Sequence, residues 1–547
     1  MEKNKTFYIT TPIFYPNDNM HIGHCYTTVA SDVMTRYKKA RGFDTLFLTG
    51  TDEHGQKIEK TAKEHGKAPL DYVNKIVEDT KSLWQSLDVQ YDIFSRTTDK
   101  DHIKAVQQIF KKLHEKGDIY KDKYDGLYCT PCESFITETK AKETKNTCPD
   151  CGRAIENIKE DVYFFNLPKY LEHLKNHIEQ NPHFISPESR KNEMLNLLKE
   201  TGPLCVSRTT FTWGVPVEFD HGHVVYVWID ALSNYITKLG FNLEAEQGER
   251  YKNYWPANVH MVGKDIVRFH TIIWPAILMA LGEPLPEKIF GHGFLKIKGE
   301  KISKSKGNSV EPNFLIDRYG KDSVRYFLMR EMNLGQDADF TTPAFLNRIN
   351  HDLANDLGNL VSRSLSMAVQ YFPTSIASEG QLLNIEDIEK AMNAIGTNED
   401  LNPTQAVKKT IAETITEVEK AMDNLMFSTA LETIWTLIRR TNKYIDETTP
   451  WILAKDETKK EELSCVLYTL FEALRSISIL IAPFLPNTAE YIKTHINSNK
   501  NNWDEAKEFG LLPKDLKVTK GDILFPRIDL KKEETELEKL FGESKNG

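Results

Sequence analysis

The spacing of apolar and polar positions changes along the chain. From Thr6 to Phe14 (TFYITTPIF) β-branched and aromatic residues run together, and Pro16, Asn17, Asp18 and Asn19 end the run, which predicts a strand followed by a turn. Residues 22 to 40 (IGHCYTTVASDVMTRYKKA) predict a helix that closes on basic residues before Gly42, where a helix C-terminus favours cations and glycine. Thr45 to Thr49 (TLFLT) is short and apolar, a buried strand, and Ile289 to Ile297 reads as another. Strand, helix and strand within about fifty residues make the βαβ unit of a parallel sheet. From about residue 345 the period becomes helical. Ile411, Ile415, Val418, Met422 and Leu425 recur at spacings of four and three, and Leu467, Leu470, Phe471, Leu474, Ile477 and Ile481 form a second stripe. These stripes are the core of a helical bundle. After Phe525 the tail PRIDLKKEETELEKLFGESKNG is highly charged and predicts a helix followed by disorder.

Composition narrows the class. A chain of 547 residues with 40% hydrophobic content can bury several cores, and its length suggests about three or four domains. No unbroken apolar run reads as a membrane span, and MEKNKTFY lacks the marks of a secretory or transit peptide, so a cytoplasmic protein with no membrane partner is expected. The net charge of −9 argues against indiscriminate coating of nucleic acid, while leaving room for a local basic surface. Of seven cysteines, Cys25, Cys205 and Cys465 stand alone and four form two CxxC pairs, Cys129 with Cys132 and Cys148 with Cys151. CxxC, fifteen residues and CxxC fit a Cys₄ site for Zn²⁺. Four thiolates fill a tetrahedron and leave no open position, so one structural zinc per chain is expected.

Candidate chemistry lies at two loops. His21, Ile22, Gly23 and His24 fall where the first strand hands over to the first helix, the edge at which parallel sheets bind nucleotides. There the imidazoles can donate to phosphate oxygens, and Gly23 lets a nucleotide approach the backbone. Two plainer readings compete: a zinc-ligand pair, or ordinary polar residues in a turn. GEKISKSKGN at 299–308 sets Lys301, Lys304 and Lys306 between glycines. Such a loop suits a polyphosphate whose charge grows as a bond to phosphorus breaks, or is merely a solvated lysine loop. Asp52, after an apolar strand, either faces a ligand or caps the next helix.

The two loops together resemble the signatures of class I aminoacyl-tRNA synthetases: HIGH at 21–24, and KMSKS, here KISKS at 301–305 with Ile302 in the methionine position. The similarity runs over nearly the whole chain and is closest to the methionine-specific branch. It rests on FYITTPIFYPN before the first signature, LTGTDEHG at 48–55, VVYVWIDALSNYI at 224–236, GKDIVRFH at 263–270, NDLGNLVSR at 355–363 and NKYIDETTPW at 442–451. The resemblance implies an α/β fold: a Rossmann-like parallel-sheet catalytic domain in halves 1–115 and 223–344, a zinc-binding connective insertion at 116–222, an α-helical anticodon-binding domain at 345–525 and a charged tail at 526–547.

It also implies roles. Ile13, Tyr15, Trp228, Ala231, Leu232, Tyr235, Ile266 and His270 would line a methionine slot, where aromatic rings offer sulfur contacts and the Tyr15 hydroxyl can donate to the thioether. Asp52 would hold the substrate ammonium group, and Gly263 and Asp265 the ribose of ATP. His21, His24, Lys301 and Lys304 would stabilise the α-phosphorus and departing pyrophosphate as methionine attacks ATP, with Mg²⁺ carried on the nucleotide. The 3′-terminal ribose of tRNA(Met), initiator tRNA included, would then take the methionyl group. Asn359, Arg363 and Trp451 would read the CAU anticodon by stacking and edge hydrogen bonds, with Arg439, Arg440 and Lys443 adding positive charge. Many bacterial relatives continue into a dimerising tRNA-binding domain, so either a monomer or a chain cut before that domain is expected. The insertion is shorter than a separate editing domain, so misactivated homocysteine would be rejected in the synthetic site. The rival readings are a synthetase of other specificity, a small-substrate nucleotidyltransferase, and a non-catalytic zinc-bearing RNA-binding module.

Overall fold

The computed structural model describes residues 5–129, 134–136, 138–149, 152–226, 228–297, 299–302, 310–376, 402–513 and 515–543. Its central sheet has six parallel strands, here β1 (Thr6–Phe14), β2 (Asp44–Thr51), β3 (Ile93–Arg96), β4 (Ile185–Ser186), β5 (Val259–Gly263) and β6 (Ile289–His292). They lie in the order β3-β2-β1-β5-β6-β4. Most of β1 is buried, as befits the centre of a sheet covered on both faces. Pairing of Ile9 with Phe47 on one side and Val259 on the other sets its register. Pro12 has no N–H for the ladder, and the β1–β2 register slips between Thr10 and Ile13. Strand order reverses between β1 and β5, the place where such sheets open a crevice at their carboxyl ends.

Helix α1 (Ile22–Ala40) follows β1, with Lys38 and Lys39 in its last turn. β1 and α1 have the bounds predicted from the sequence. The apolar run Ile289 to Ile297 is instead two strands, β6 and Leu295–Ile297, in different sheets. Gly293 explains the break: a Cβ there would lie 2.1 Å from the Gln336 carbonyl carbon, so another backbone passes where a strand would continue.

Between β3 and β5 an antiparallel sheet is built on a long hairpin, Ile119–Cys129 against Glu156–Phe165. The same stretch supplies β4, the outermost strand of the central sheet. Beyond the central sheet, helices Pro403–Asp423, Phe427–Thr448, Lys460–Ile481 and Pro486–His495 form the bundle. Asn402 accepts from the Gln405 N–H and Pro403 opens the first of these helices, a cap that fixes its start. Residues Glu457–Ile481 are long and apolar enough to cross a bilayer, contrary to the sequence reading, but the apolar window of that stretch is wholly buried inside the protein. One apolar cluster runs from Phe7 and Ile9 of β1 through α1 to Leu480 and Ile492 of the bundle.

Candidate active site

The start of α1 holds both signature histidines in one geometry. His21 is the N-cap: its Nδ1 accepts from the Gly23 N–H (3.1 Å), and His24 Nδ1 accepts from the His21 N–H (3.0 Å). With Nδ1 accepting in each ring, a neutral imidazole carries its proton on Nε2, the donor that a phosphate oxygen requires. The rings lie 3.9 Å apart between centroids, and Phe14 packs edge-on against His24 at 5.1 Å. A Cβ on Gly23 would sit 2.9 Å from His21 Cε1 and 3.9 Å from the Ile302 side chain. The glycine therefore admits the His21 ring itself. The same contact brings the start of the KISKS segment against HIGH, with Ile302 buried. Lys301 ends the strand Glu300–Lys301, while 303–309, with Lys304, lie outside the described residues.

At the end of β2, the Asp52 N–H donates to the Phe14 carbonyl (2.9 Å) and joins this loop to the end of β1. Asp52 does not cap the next helix, which starts from Gly55 without a side-chain cap. Glu53 beside it is fully buried and gripped by Arg96 through two bonds (2.6 and 2.9 Å) and by the Thr51 hydroxyl (2.6 Å). His54 bonds Asp230. Burial pushes the Tyr235 hydroxyl above its usual range.

Ile13, Trp228, Leu232, Tyr235 and Ile266 share one apolar cluster, and Ala231 and His270 are buried alongside. Phe269, which the sequence reading omitted, stacks on Trp228 with centroids 3.5 Å apart. It lies in a π-helical turn, Phe269–Ile273, a widened turn frequent at functional sites. An aromatic in an apolar helix reads as core, so only its place between Ile266 and His270 signalled it. His270 Nδ1 donates to the Ile266 carbonyl (3.0 Å), so Nε2 accepts from the Tyr235 hydroxyl (2.7 Å). Burial lowers this imidazole to about 4 and keeps it neutral. Tyr15, half-buried, stands just past β1 with the Lys57 ammonium 5.7 Å from its ring.

Gly263 closes β5 and Asp265 is exposed in the turn that follows. A Cβ on Gly263 would lie 2.7 Å from Asp265 Oδ1. His292, at the end of β6 and also missed from sequence, is buried; Thr27 of α1 meets its Nε2 at 2.7 Å, and its Nδ1 donates to the Gly293 carbonyl. The carboxyl ends of β2 and β5 and the N-terminus of α1 thus bring Asp52, Gly263, His21 and His24 to one edge of the sheet.

Two further sets lie elsewhere. Asn359 is exposed, and Arg363, one turn on, meets Asp446 at 3.1 Å, near the helix end that leads into Trp451. Trp451 and Ile452 are 40% and 55% exposed, an apolar tip on a polar surface. The positive charge expected from Arg439, Arg440 and Lys443 is offset, because Asp356 and Glu447 pair with them. In the insertion, Cys129 and Cys148 are both buried in one small cluster with Ile136 and Ala141. The Gly152 N–H donates to the Cys148 carbonyl (2.8 Å) and the Cys148 N–H to the Arg153 carbonyl (2.8 Å). Cys132 and Cys151 lie outside the described residues, and among the described ones no three ligand-type side chains cluster for a metal.

Residues 7–365 match the family model described as tRNA synthetases class I (M), and residues 404–525 match the anticodon-binding domain of tRNA ligase. The methionine–tRNA ligase of Clostridium perfringens is 53% identical over 540 residues, 98% of this chain and 80% of that protein. That of Bacillus subtilis is 48% identical, over 97% of this chain and 79% of its own length. The methionyl-tRNA synthetase of Mycobacterium tuberculosis, solved in complex with methionyl-adenylate, superposes with a TM-score of 0.87 at 36% identity, covering 96% of this chain and all of that one.

Proposed function

The chain belongs to the class I methionyl-tRNA synthetases, and from that premise we propose how its residues divide the work of joining methionine to tRNA. The enzyme uses methionine, ATP and tRNA. The observation that carries the residue assignment is the convergence of His21, His24, Asp52, Tyr235, His270 and Gly263 on one carboxyl edge at the reversal of strand order.

In the proposed division, Asp52 holds the ammonium group of methionine, and its side chain enters the apolar slot of Ile13, Tyr15, Trp228, Ala231, Leu232, Tyr235, Ile266 and His270. Aromatic walls suit a thioether, each sulfur contact contributing about 0.3–1.5 kcal/mol. Gly263 and Asp265 take the ribose of ATP. The methionine carboxylate attacks the α-phosphorus in line, pyrophosphate leaves, and no protein nucleophile is needed. His21 and His24 donate from Nε2 to the phosphate oxygens, and Lys301 and Lys304 follow the charge as it moves to pyrophosphate. Mg²⁺ bound with the nucleotide supplies charge neutralisation there. The tRNA ribose then takes the methionyl group while Asn359, Arg363 and Trp451 read the anticodon.

The domain bounds at 115, 222, 344 and 525 are retained in this reading, with the 116–222 insertion carrying a structural Zn²⁺. Cys129 and Cys148 supply two thiolates from one buried cluster, and each CxxC supplies a partner, Cys132 and Cys151. Metal analysis checks this: one zinc per chain, lost in Cys129→Ser, is the expected result, and a full complement in that variant sinks the assignment.

The decisive assay is amino-acid-dependent exchange of labelled pyrophosphate into ATP without tRNA. Methionine should support exchange far above leucine and isoleucine, and Asp52→Ala and Trp228→Ala should each raise KM for methionine. A pocket variant with normal KM would overturn that residue's role.

A further inference from the structure

His54 and His102 converge on Asp230 from two separate chain segments. His54 Nδ1 donates to one carboxylate oxygen (2.7 Å) and His102 Nε2 to the other (2.9 Å). All three are buried, and the Thr237 hydroxyl meets His102 Nδ1 at 2.7 Å, so the second imidazole is itself held in place. Burial would raise the Asp230 carboxyl, but the two histidines bring it down to about 2 and keep it a carboxylate.

The attachment points matter more than the charges. His54 stands two residues after Asp52, in the loop that ends β2. Asp230 lies on helix Trp228–Thr237, which carries Trp228, Ala231, Leu232 and Tyr235. His102 comes from helix Lys100–Glu115 behind both. On its other side the loop is fixed by Glu53 to Arg96, and the His54 bond ties it to the slot helix. HIGH and Gly263 hang from α1 and β5 instead. A buried polar group whose partners are all present specifies one arrangement of the elements that bear it.

We infer that the Asp230–His54–His102 network is a positioning device that sets the separation between the Asp52 carboxylate and the apolar slot, and thereby methionine affinity and not ATP affinity. The inference rests on the methionine site proposed above. In this reading the three buried residues act through the Asp52 loop and the slot helix, as positioning residues.

The test uses His54→Leu, which removes the donor, and His54→Asn, whose amide N–H stands near the position of Nδ1. Pyrophosphate exchange gives KM for methionine and for ATP separately. Misplacement by about 1 Å costs up to roughly a hundredfold. KM for methionine should therefore rise about ten- to a hundredfold in His54→Leu with KM for ATP within about twofold, and His54→Asn should restore most of the loss. Equal rises in both KM values, or no rescue by asparagine, would mean a merely structural role and overturn the inference. If His54→Leu does not fold, Thr237→Val decides: a selective rise in KM for methionine supports the inference and an unchanged value overturns it. Asp52→Ala and Trp228→Ala separate the two readings. Should they leave KM for methionine unchanged, the site assignment itself fails; should they raise it while the His54 variants do not, only the network inference fails.

Discussion

One absent methyl group at Gly23 decides whether His21 can occupy its place, since a Cβ would stand 2.9 Å from the ring. Alanine suits a helix better than glycine by up to about 1 kcal/mol. Gly23→Ala should therefore leave the thermal midpoint unchanged or slightly higher while lowering kcat of pyrophosphate exchange about a hundredfold, through the displaced imidazole. Normal turnover in that variant would refute the role given to the ring. The HIGH tetrad was visible in sequence as chemistry, but the reason for its glycine was not. Sequence reasoning reserved the space for a nucleotide; the fold fills it with the histidine two positions back. Phe269 and His292 were missed for a related reason: each looks like core until the elements facing it are known.

At the scale of elements, β1 and α1 were legible to the residue because a dense apolar run ends in turn formers and an amphipathic helix closes on cations and glycine. Local signals at both ends agree there. At 289–297 they do not, because the chain that crosses at Gly293 comes from residue 336, beyond any local window. The helical stripes were read correctly as core, and in the proposed reading surface residues carry the recognition. Trp451 is exposed at the start of a short helix, after Thr449 in a left-handed conformation (φ 42°) that turns the chain outward. Stacking of a base on such a ring contributes about 1–3 kcal/mol. Trp451→Ala should thus lower kcat/KM for tRNA about five- to 150-fold and leave tRNA-independent exchange unaltered. A parallel fall in exchange would show that the tryptophan supports the fold.

At the scale of the molecule, catalytic sheet and helical bundle share one core. Helix α1 begins at the active site and reaches the bundle, where Lys38 pairs with Asp423 (2.7 Å) and Tyr37 packs edge-on against Trp503. Between them Arg325 is fully buried; it pairs with Asp32 of α1 (2.6 Å) and donates to the carbonyls of Leu87, Pro483 and Phe484. Removing one partner of a buried pair costs about 3–5 kcal/mol. Arg325→Leu should lower stability by about that amount, and an unchanged denaturation midpoint would show that the junction is held without it. The sequence by itself determined the parallel-sheet class, the helical second half, the two signatures and the spacing of the cysteines, because each is a local pattern of period, turn chemistry or ligand spacing. Only the tertiary structure decided that Ile302 lies beside Gly23, that the Tyr235 hydroxyl donates to His270, and that His54 ties the Asp52 loop to helix Trp228–Thr237. Those contacts join residues dozens to hundreds of positions apart, and their geometry exists only once strand order and helix packing have closed the chain upon itself.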